Sequence, residues 1–336
     1  MNALYRNLLP VMILLTVFTA PAFSAGQREV SPDPAAETAP PAEIRMGGLR
    51  GPTSVALSPY IADPTRLGED YIIRTETYAT PDLAISQIMS GQVDIAALPT
   101  NLASILYNRN SSVSMLGASG GGVLYVVADR EMELEDIAGH TVHTIARGAT
   151  PDIMLRTLAN ETGLQEGLDY HIQYASDQTE LAQNLVAGRV TLAVLPEPFV
   201  TRVTQANSQL KIAVDLQELY TRHYGMEYYP MTAIVVRSEF ARSNPEAVQE
   251  WLQDMPQAQQ WLRDNLPEAA EAAGETIGIP ADIIQAAFPR LNLTWIPAQE
   301  ARAEVETYLQ IFADFNPESI GGSLPGDSFF HPLDGE

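Results

Sequence analysis

Cysteine is absent from all 336 residues. That excludes disulfides, thiol chemistry and a lipid anchor carried on an N-terminal cysteine. Lysine is almost absent too: of the 19 basic residues, only Lys211 is not arginine. Set against 42 acidic residues, this leaves a formal net charge of −23. A chain so poor in positive charge lacks the basic footprint that phosphate backbones require, so nucleic acid is excluded as a partner. The acidic surface instead favours solubility through self-repulsion. Beyond the N-terminus no segment approaches the roughly 18 apolar residues of a membrane-spanning helix. Of the histidines at 140, 143, 171, 223 and 331, only His140 and His143 take an H-x-x-H spacing, but they flank an expected strand start and could meet only on a helix, and no H-E-x-x-H occurs, so no metal site is expected. Neither a Walker motif nor a dinucleotide fingerprint occurs, and no cofactor is expected.

One apolar run is present, at the start. Arg6 precedes an apolar stretch from Leu8 to Ala20, and Ala20, Ala22, Ser24 and Ala25 follow. Residues 1–25 therefore read as a signal peptide cleaved near 22–25, with an uncleaved anchor as the alternative. The stretch 26–43 is rich in Pro, Ala and Glu without apolar periodicity, and reads as a disordered linker. A periplasmic location follows as the expectation.

The rest of the chain repeats itself. Arg50-Gly51-Pro52-Thr53 returns as Arg147-Gly148-Ala149-Thr150, 97 positions on. At the same offset of 97, the run from Gly91 to Pro99 returns as Gly188 to Pro196. A unit of about 90 residues is thus written twice. Each copy places a Gly/Pro/Thr turn after an apolar strand and before a helix. Strands are expected over 44–49, 71–78, 93–98, 113–116 and 123–128, and again over 141–145, 171–174, 191–195, 211–215 and 231–236. Helices between them give the alternation of a parallel sheet. From Asn244 onward the pattern reads as mostly helical.

The expected architecture is α/β with two lobes, each built on a mixed or parallel sheet flanked by helices. Lobe 1 spans 44–124 and is completed by 237–336; lobe 2 spans 125–236. A two-crossover hinge is expected near 123–128 and 231–236. In open α/β sheets, ligands settle outside the carboxyl ends of strands, where helix N-termini point.

Several strings carry a family likeness: Gly-Pro-Thr at 51–53, Val-Asp-Ile-Ala-Ala-Leu-Pro-Thr-Asn-Leu-Ala at 93–103, Gly-Ala-Thr-Pro at 148–151 and Leu-Pro-Glu-Pro-Phe-Val at 195–200. Val-Val-Arg-Ser-Glu-Phe at 235–240 and Asn-Pro-Glu-Ala-Val at 244–248 add to them. Over about 44–330 the chain resembles the substrate-binding proteins of nitrate/sulfonate/taurine-type ABC importers, a group that includes binding proteins for thiamine pyrimidine precursors. The resemblance implies a type II periplasmic-binding fold, a small ligand held between the lobes, and a membrane permease with a cytosolic ATPase as partners. A monomer without enzymatic activity is expected. An enzyme on the same fold, or a sensor or partner-binding domain, stands as the alternative.

Candidate ligand-binding residues follow from the turns. Pro52, Thr53, Ser54, Thr100, Asn101 and Thr150 sit at expected helix starts, where backbone N–H groups and hydroxyls bind anions or simply cap the helix. Glu197 replaces Thr100 in the second copy. Facing the cleft, its carboxylate would accept hydrogen bonds from a ring N–H or amine, and so favour a nitrogen heterocycle such as a pyrimidine over taurine or nitrate. Tyr125, Phe199 and Tyr228 are the aromatic candidates for stacking, with Tyr60, Tyr107 and Tyr229 nearby in the pattern. Gly117-Ala118-Ser119-Gly120-Gly121 matches G-x-S-x-G, but a strand and not a helix follows it, so the glycines are read as letting the backbone approach the ligand near the hinge.

Overall fold

The computed structural model describes residues 40–110 and 112–332. The expected signal peptide and residues 26–39 of the expected linker lie outside the described residues. The linker ends sooner than expected. β1 runs Ala42–Leu49, pairing Ala42 with Tyr71, and Glu43 accepts a charged hydrogen bond from Arg74 at 2.8 Å.

The first copy continues with α1 (Pro52–Val55), α2 (Ser58–Ala62), β2 (Tyr71–Tyr78), α3 (Pro81–Met89), β3 (Ile95–Pro99), α4 (Thr100–Asn110) and β4 (Val113–Gly120). β5 (Leu124–Ala128) crosses to the second copy: β6 (Thr141–Ile145), α5 (Thr150–Glu161), β7 (His171–Ala175), α6 (Gln178–Val186), β8 (Leu192–Pro196), α7 (Phe199–Ala206), β9 (Lys211–Asp215) and α8 (Leu216–Tyr224). β10 (Thr232–Arg237) returns, followed by α9 (Ser238–Ser243), α10 (Pro245–Asp264), α11 (Leu266–Ile277), α12 (Ala281–Ala287), β11 (Leu293–Pro297) and α13 (Arg302–Phe315).

The duplication is structural down to its caps. α3 and α6 are opened by Thr80 and Asp177, whose side chains accept from Leu83 N–H and Glu180 N–H. These caps keep the sequence offset, and each satisfies one orphan donor of the first turn. After each helix the chain reverses through Gly91 (φ 72°) or Gly188 (φ 68°), a left-handed conformation that favours glycine.

The first sheet has the order β11-β4-β10-β3-β1-β2 and the second β7-β6-β8-β5-β9. Matched copy to copy, β2-β1-β3 corresponds to β7-β6-β8, and β4 to β9. The strand inserted between them comes from the other side in each case. β10 runs antiparallel between β3 and β4, while β5 runs antiparallel between β8 and β9. This corrects the expected hinge. Residues 124–128 and 232–237 are full members of a sheet, and the crossing segments are the shorter stretches 121–123 and 225–231. The reason is burial: Leu124–Ala128 is buried throughout and Thr232–Val236 likewise, which suits strands covered on both faces.

The C-terminal region is not wholly helical. β11 joins β4 as an antiparallel edge strand with an irregular register. Nor do its helices pack on the first sheet alone. Ala273, Ile277, Ile284 and Ala287 of α11 and α12 share an apolar cluster with Leu181, Phe199 and Val203 of the second half, and with Val55 of the first. α13 packs on both α4 and α5. Among the described residues, no helix is long and apolar enough to cross a membrane.

Candidate binding site between the two sheets

The carboxyl ends of β1, β3, β6 and β8 carry the duplicated turns. In the first copy, Thr53 and Ser54 both donate their hydroxyls to Leu49 O, each at 2.6 Å. Pro52 begins α1 and has no N–H to offer. Since α1 spans only four residues, its dipole contributes little, and the expected anion-binding helix start is weak here. In the second copy, Gly148 N–H donates to Asp152 at 2.7 Å, and the Thr150 hydroxyl lies 3.2 Å from that of Tyr308. α5 is a full helix of 12 residues.

The turn of the first copy meets helix α6 of the second half. A Cβ placed on Gly51 would lie 3.6 Å from the side-chain nitrogen of Gln178, at the start of α6. On the same rim Arg147 places its guanidinium 4.4 Å from the ring centre of Tyr174. Arg50 and Arg147 are exposed, and neither has an ion-pair partner among the described residues. Sequence reasoning used these arginines only to mark the repeat. Their equivalent places in the two copies were the available signal.

Thr100 and Glu197, the equivalent pair after β3 and β8, face the crossings. Thr100 N–H donates to Met231 O at 3.1 Å and Glu197 N–H to Val123 O at 2.9 Å. The Thr100 hydroxyl donates to Pro230 O at 2.5 Å, and the Asn101 amide donates to Ser319 O at 3.2 Å. These side chains brace the return crossing and the C-terminal segment. Thr100→Val, nearly isosteric, should therefore lower stability by about 1 kcal/mol, the net value of one hydrogen bond, with little effect on any ligand. Denaturant unfolding checks this.

Glu197 is fully buried, and its oxygens are taken. Thr201 N–H and hydroxyl donate to them at 2.9 Å each, and Arg290 Nε donates at 2.6 Å. The guanidinium also reaches the Thr201 hydroxyl at 2.6 Å. This corrects the expected carboxylate open to the cleft: neutralised by Arg290, it ties α7 to the segment after α12. Nothing in the local sequence around Arg290 announced that role.

The aromatic candidates part company. Tyr60 stacks on Trp251 with centroids 5.9 Å apart, and Tyr107 packs edge-on to Phe329 at 5.3 Å, so both serve the core of the first half. Phe199 is buried in the cluster under α11 and α12. Tyr125 donates its hydroxyl to Arg290 O at 3.2 Å. Tyr229 stacks on Tyr308 at 5.7 Å, with 11° between the rings. Burial raises the phenol pKa of Tyr125, Tyr229 and Tyr308, so all three stay neutral; the Tyr229 hydroxyl has no hydrogen-bond partner among the described residues.

Half-buried Tyr228 lines a cavity of about 340 Å³ together with Gly121, Gln217 and Asn292. The crossings themselves are stitched together there. The Gln217 side-chain oxygen accepts from Gly122 N–H at 2.8 Å and from Tyr229 N–H at 3.2 Å. Asn292 donates its amide to Gly122 O. The glycine run permits this, since a Cβ on Gly122 would sit 2.1 Å from the Tyr229 ring. Close approach is the expected role, but to the protein's own ring. Ser119 lies within strand β4, not at a strand-to-helix elbow; its hydroxyl is buried without a partner among the described residues. Among the described residues, no group of three or more His, Asp or Glu side chains could hold a metal ion.

With this geometry in place, comparison with other proteins adds the lineage. The model of the NMT1-like family matches residues 84–278. No curated protein matches the sequence. Among solved structures, an ABC transporter protein from Parabacteroides distasonis is similar at 24% identity and TM-score 0.73, covering 87% of this chain and 100% of that one. The periplasmic aliphatic sulphonate binding protein SsuA of Escherichia coli aligns at 13% identity and TM-score 0.67, over 86% and 91%. The periplasmic nitrate-binding protein NrtA of Synechocystis PCC 6803 aligns at 13% identity and TM-score 0.60, over 82% of each chain. The fold is that of periplasmic binding proteins.

Proposed function

This chain belongs to the NMT1-like family, and on that premise we propose that it is the extracytoplasmic solute-binding component of an ABC importer. It captures a small organic anion between its two halves and presents the closed form to a membrane permease with its cytosolic ATPase. The single observation that carries this reading is the exchange of strands between the two copies, with one duplicated turn at their boundary. Two copies of one β-α unit exchange a strand, and the turn after β1 meets α6 of the second half at Gln178. Two short crossings, 121–123 and 225–231, are the natural pivots of such a clamp.

The anionic class rests on charge. Arg50 and Arg147 stand at equivalent turns with no carboxylate partner among the described residues, in a chain of net charge −23. Guanidinium groups suit sulfonate and carboxylate oxygens. The buried Glu197 no longer argues for a nitrogen heterocycle, because Arg290 already neutralises it. Pro52, Thr53, Ser54 and Thr150 at the facing turns complete the proposed site, and the solutes bound by SsuA and NrtA are consistent with it. Export of the chain, with periplasmic residence, is part of the same proposal.

A thermal-shift screen of alkanesulfonates, short carboxylates and pyrimidines tests it. An anion present at about 100 times its Kd should stabilise the protein by about 2.7 kcal/mol. Arg50→Gln and Arg147→Gln should each weaken that anion about tenfold, the loss of one charge-assisted contact of about 1.4 kcal/mol. Stabilisation by pyrimidines alone contradicts the anionic class. No stabilisation by any small solute contradicts the receptor reading.

A further inference from the structure

A second recess lies away from the duplicated turns, between the second half and the C-terminal helix. It encloses about 450 Å³, walled by α5, the loop following it, the end of α8, and α13. That size falls in the range of small-molecule sites. Its chemistry is one-sided. Glu161, Glu166 and Asp314 bring three carboxylates to it, and Arg156 is the one basic side chain among its lining residues. Arg156 is committed: it donates to Asp152 at 2.6 Å, to Glu166 at 2.9 Å and to the Tyr174 hydroxyl at 2.9 Å. Glu161 already meets His223 at 2.8 Å and the Tyr224 hydroxyl at 3.3 Å, and Asp314 accepts from the Gln310 amide at 2.7 Å, but each ionised group offers about four lone-pair sites and so keeps further acceptor capacity.

Two further features point to a ligand. Phe315 is 46% exposed at the rim, so much of its ring remains open although Arg156 lies 5.8 Å from its centre. At the base, Tyr170 is only 1% exposed, and its hydroxyl has no hydrogen-bond partner among the described residues. That hydroxyl feels the charges of Arg156 and Glu166, both of which line the recess. A buried hydroxyl normally has a partner. Carboxylates at the wall, an aromatic face at the rim and a hydroxyl at the base match an ammonium, an apolar body and a polar end.

We propose that this recess is a second binding site, which takes a small aromatic or apolar amine as its cation. It is separate from the site between the facing turns and would carry a solute of opposite charge.

Isothermal titration of the full chain with tyramine tests the proposal, alongside 4-ethylphenol, which lacks the ammonium, and 3-(4-hydroxyphenyl)propanoate, which replaces it by an anion. Tyramine should bind one-to-one and at least about tenfold more tightly than either comparison compound. Asp314→Asn and Phe315→Ala, both at the open rim, should each weaken it about fivefold. Tyr170→Phe removes a hydroxyl that has no partner among the described residues, so it should leave folding intact and still weaken tyramine. Arg50→Gln should leave tyramine binding unchanged. Absence of tyramine binding, equal binding of the propanoate, or an affinity indifferent to all three recess substitutions would overturn the proposal. Loss of tyramine binding in Arg50→Gln would also overturn it, by placing the amine at the facing turns.

Discussion

Exchanging Arg290 for alanine is expected to lower the unfolding midpoint by about 5 °C, equivalent to about 3 kcal/mol in a chain of this size. Glu197 is fully buried while Arg290 is about one-third exposed, at 0% and 35% of the side chain. The variant would leave a carboxylate in the interior with only Thr201 to answer it. Stranding a buried charge is costlier than removing the whole pair. Glu197→Gln placed in the Arg290→Ala background should therefore recover part of the loss, whereas two unrelated substitutions would add. Calorimetry of the two single variants and the double variant measures that coupling. Because the pair joins α7 to the segment after α12, Arg290→Ala should also weaken whatever solute requires the halves to close. A midpoint unchanged in Arg290→Ala would mean that the pair does not hold the seam.

The second large effect is expected at the crossing. Gly122→Ala would press a methyl group to 2.1 Å from a ring carbon of Tyr229, itself fully buried and stacked on Tyr308. Tyr229 cannot swing away, because Tyr220 packs edge-on to it at 5.1 Å. Overpacking of this kind costs about 3 kcal/mol, and here the displaced backbone also carries the N–H that binds Gln217. Gly120→Ala is the matched control, since its nearest contacts would be ordinary ones at 3.8 Å. Denaturant midpoints should fall sharply for Gly122→Ala and by less than about 1 kcal/mol for Gly120→Ala. Equal losses would remove the argument that close approach explains the glycine.

What could be read from the sequence was whatever repeats or alternates locally. The offset that links Arg50 to Arg147 also links the caps Thr80 and Asp177, and so the folded units themselves. What could not be read was pairing over distance. Leu124–Ala128 and Thr232–Arg237 are both short apolar runs, and nothing in such a run states which sheet it enters. β11 hides for a similar reason: five residues with Trp295 and Ile296 between proline-bounded helices carry too little period to separate strand from helix.

The candidate site shows the same division. The turns were legible because Gly, Pro and Thr mark them. The partners were not, since Glu197 meets Arg290 across 93 residues and Thr150 meets Tyr308 across 158. A hydroxyl at a helix start reads alike whether it will hold a ligand or a neighbouring carbonyl. For Thr53, Ser54 and Thr100 the structure supplies the carbonyl.

The most direct test is native mass spectrometry of the protein purified without denaturation from the cells that make it. A clamp formed by two facing copies should hold one small organic anion per chain, and that extra mass should disappear in the Arg50→Gln, Arg147→Gln double variant while the fold persists. A chain that carries no solute, and whose mass no small anion increases on addition, would contradict the account.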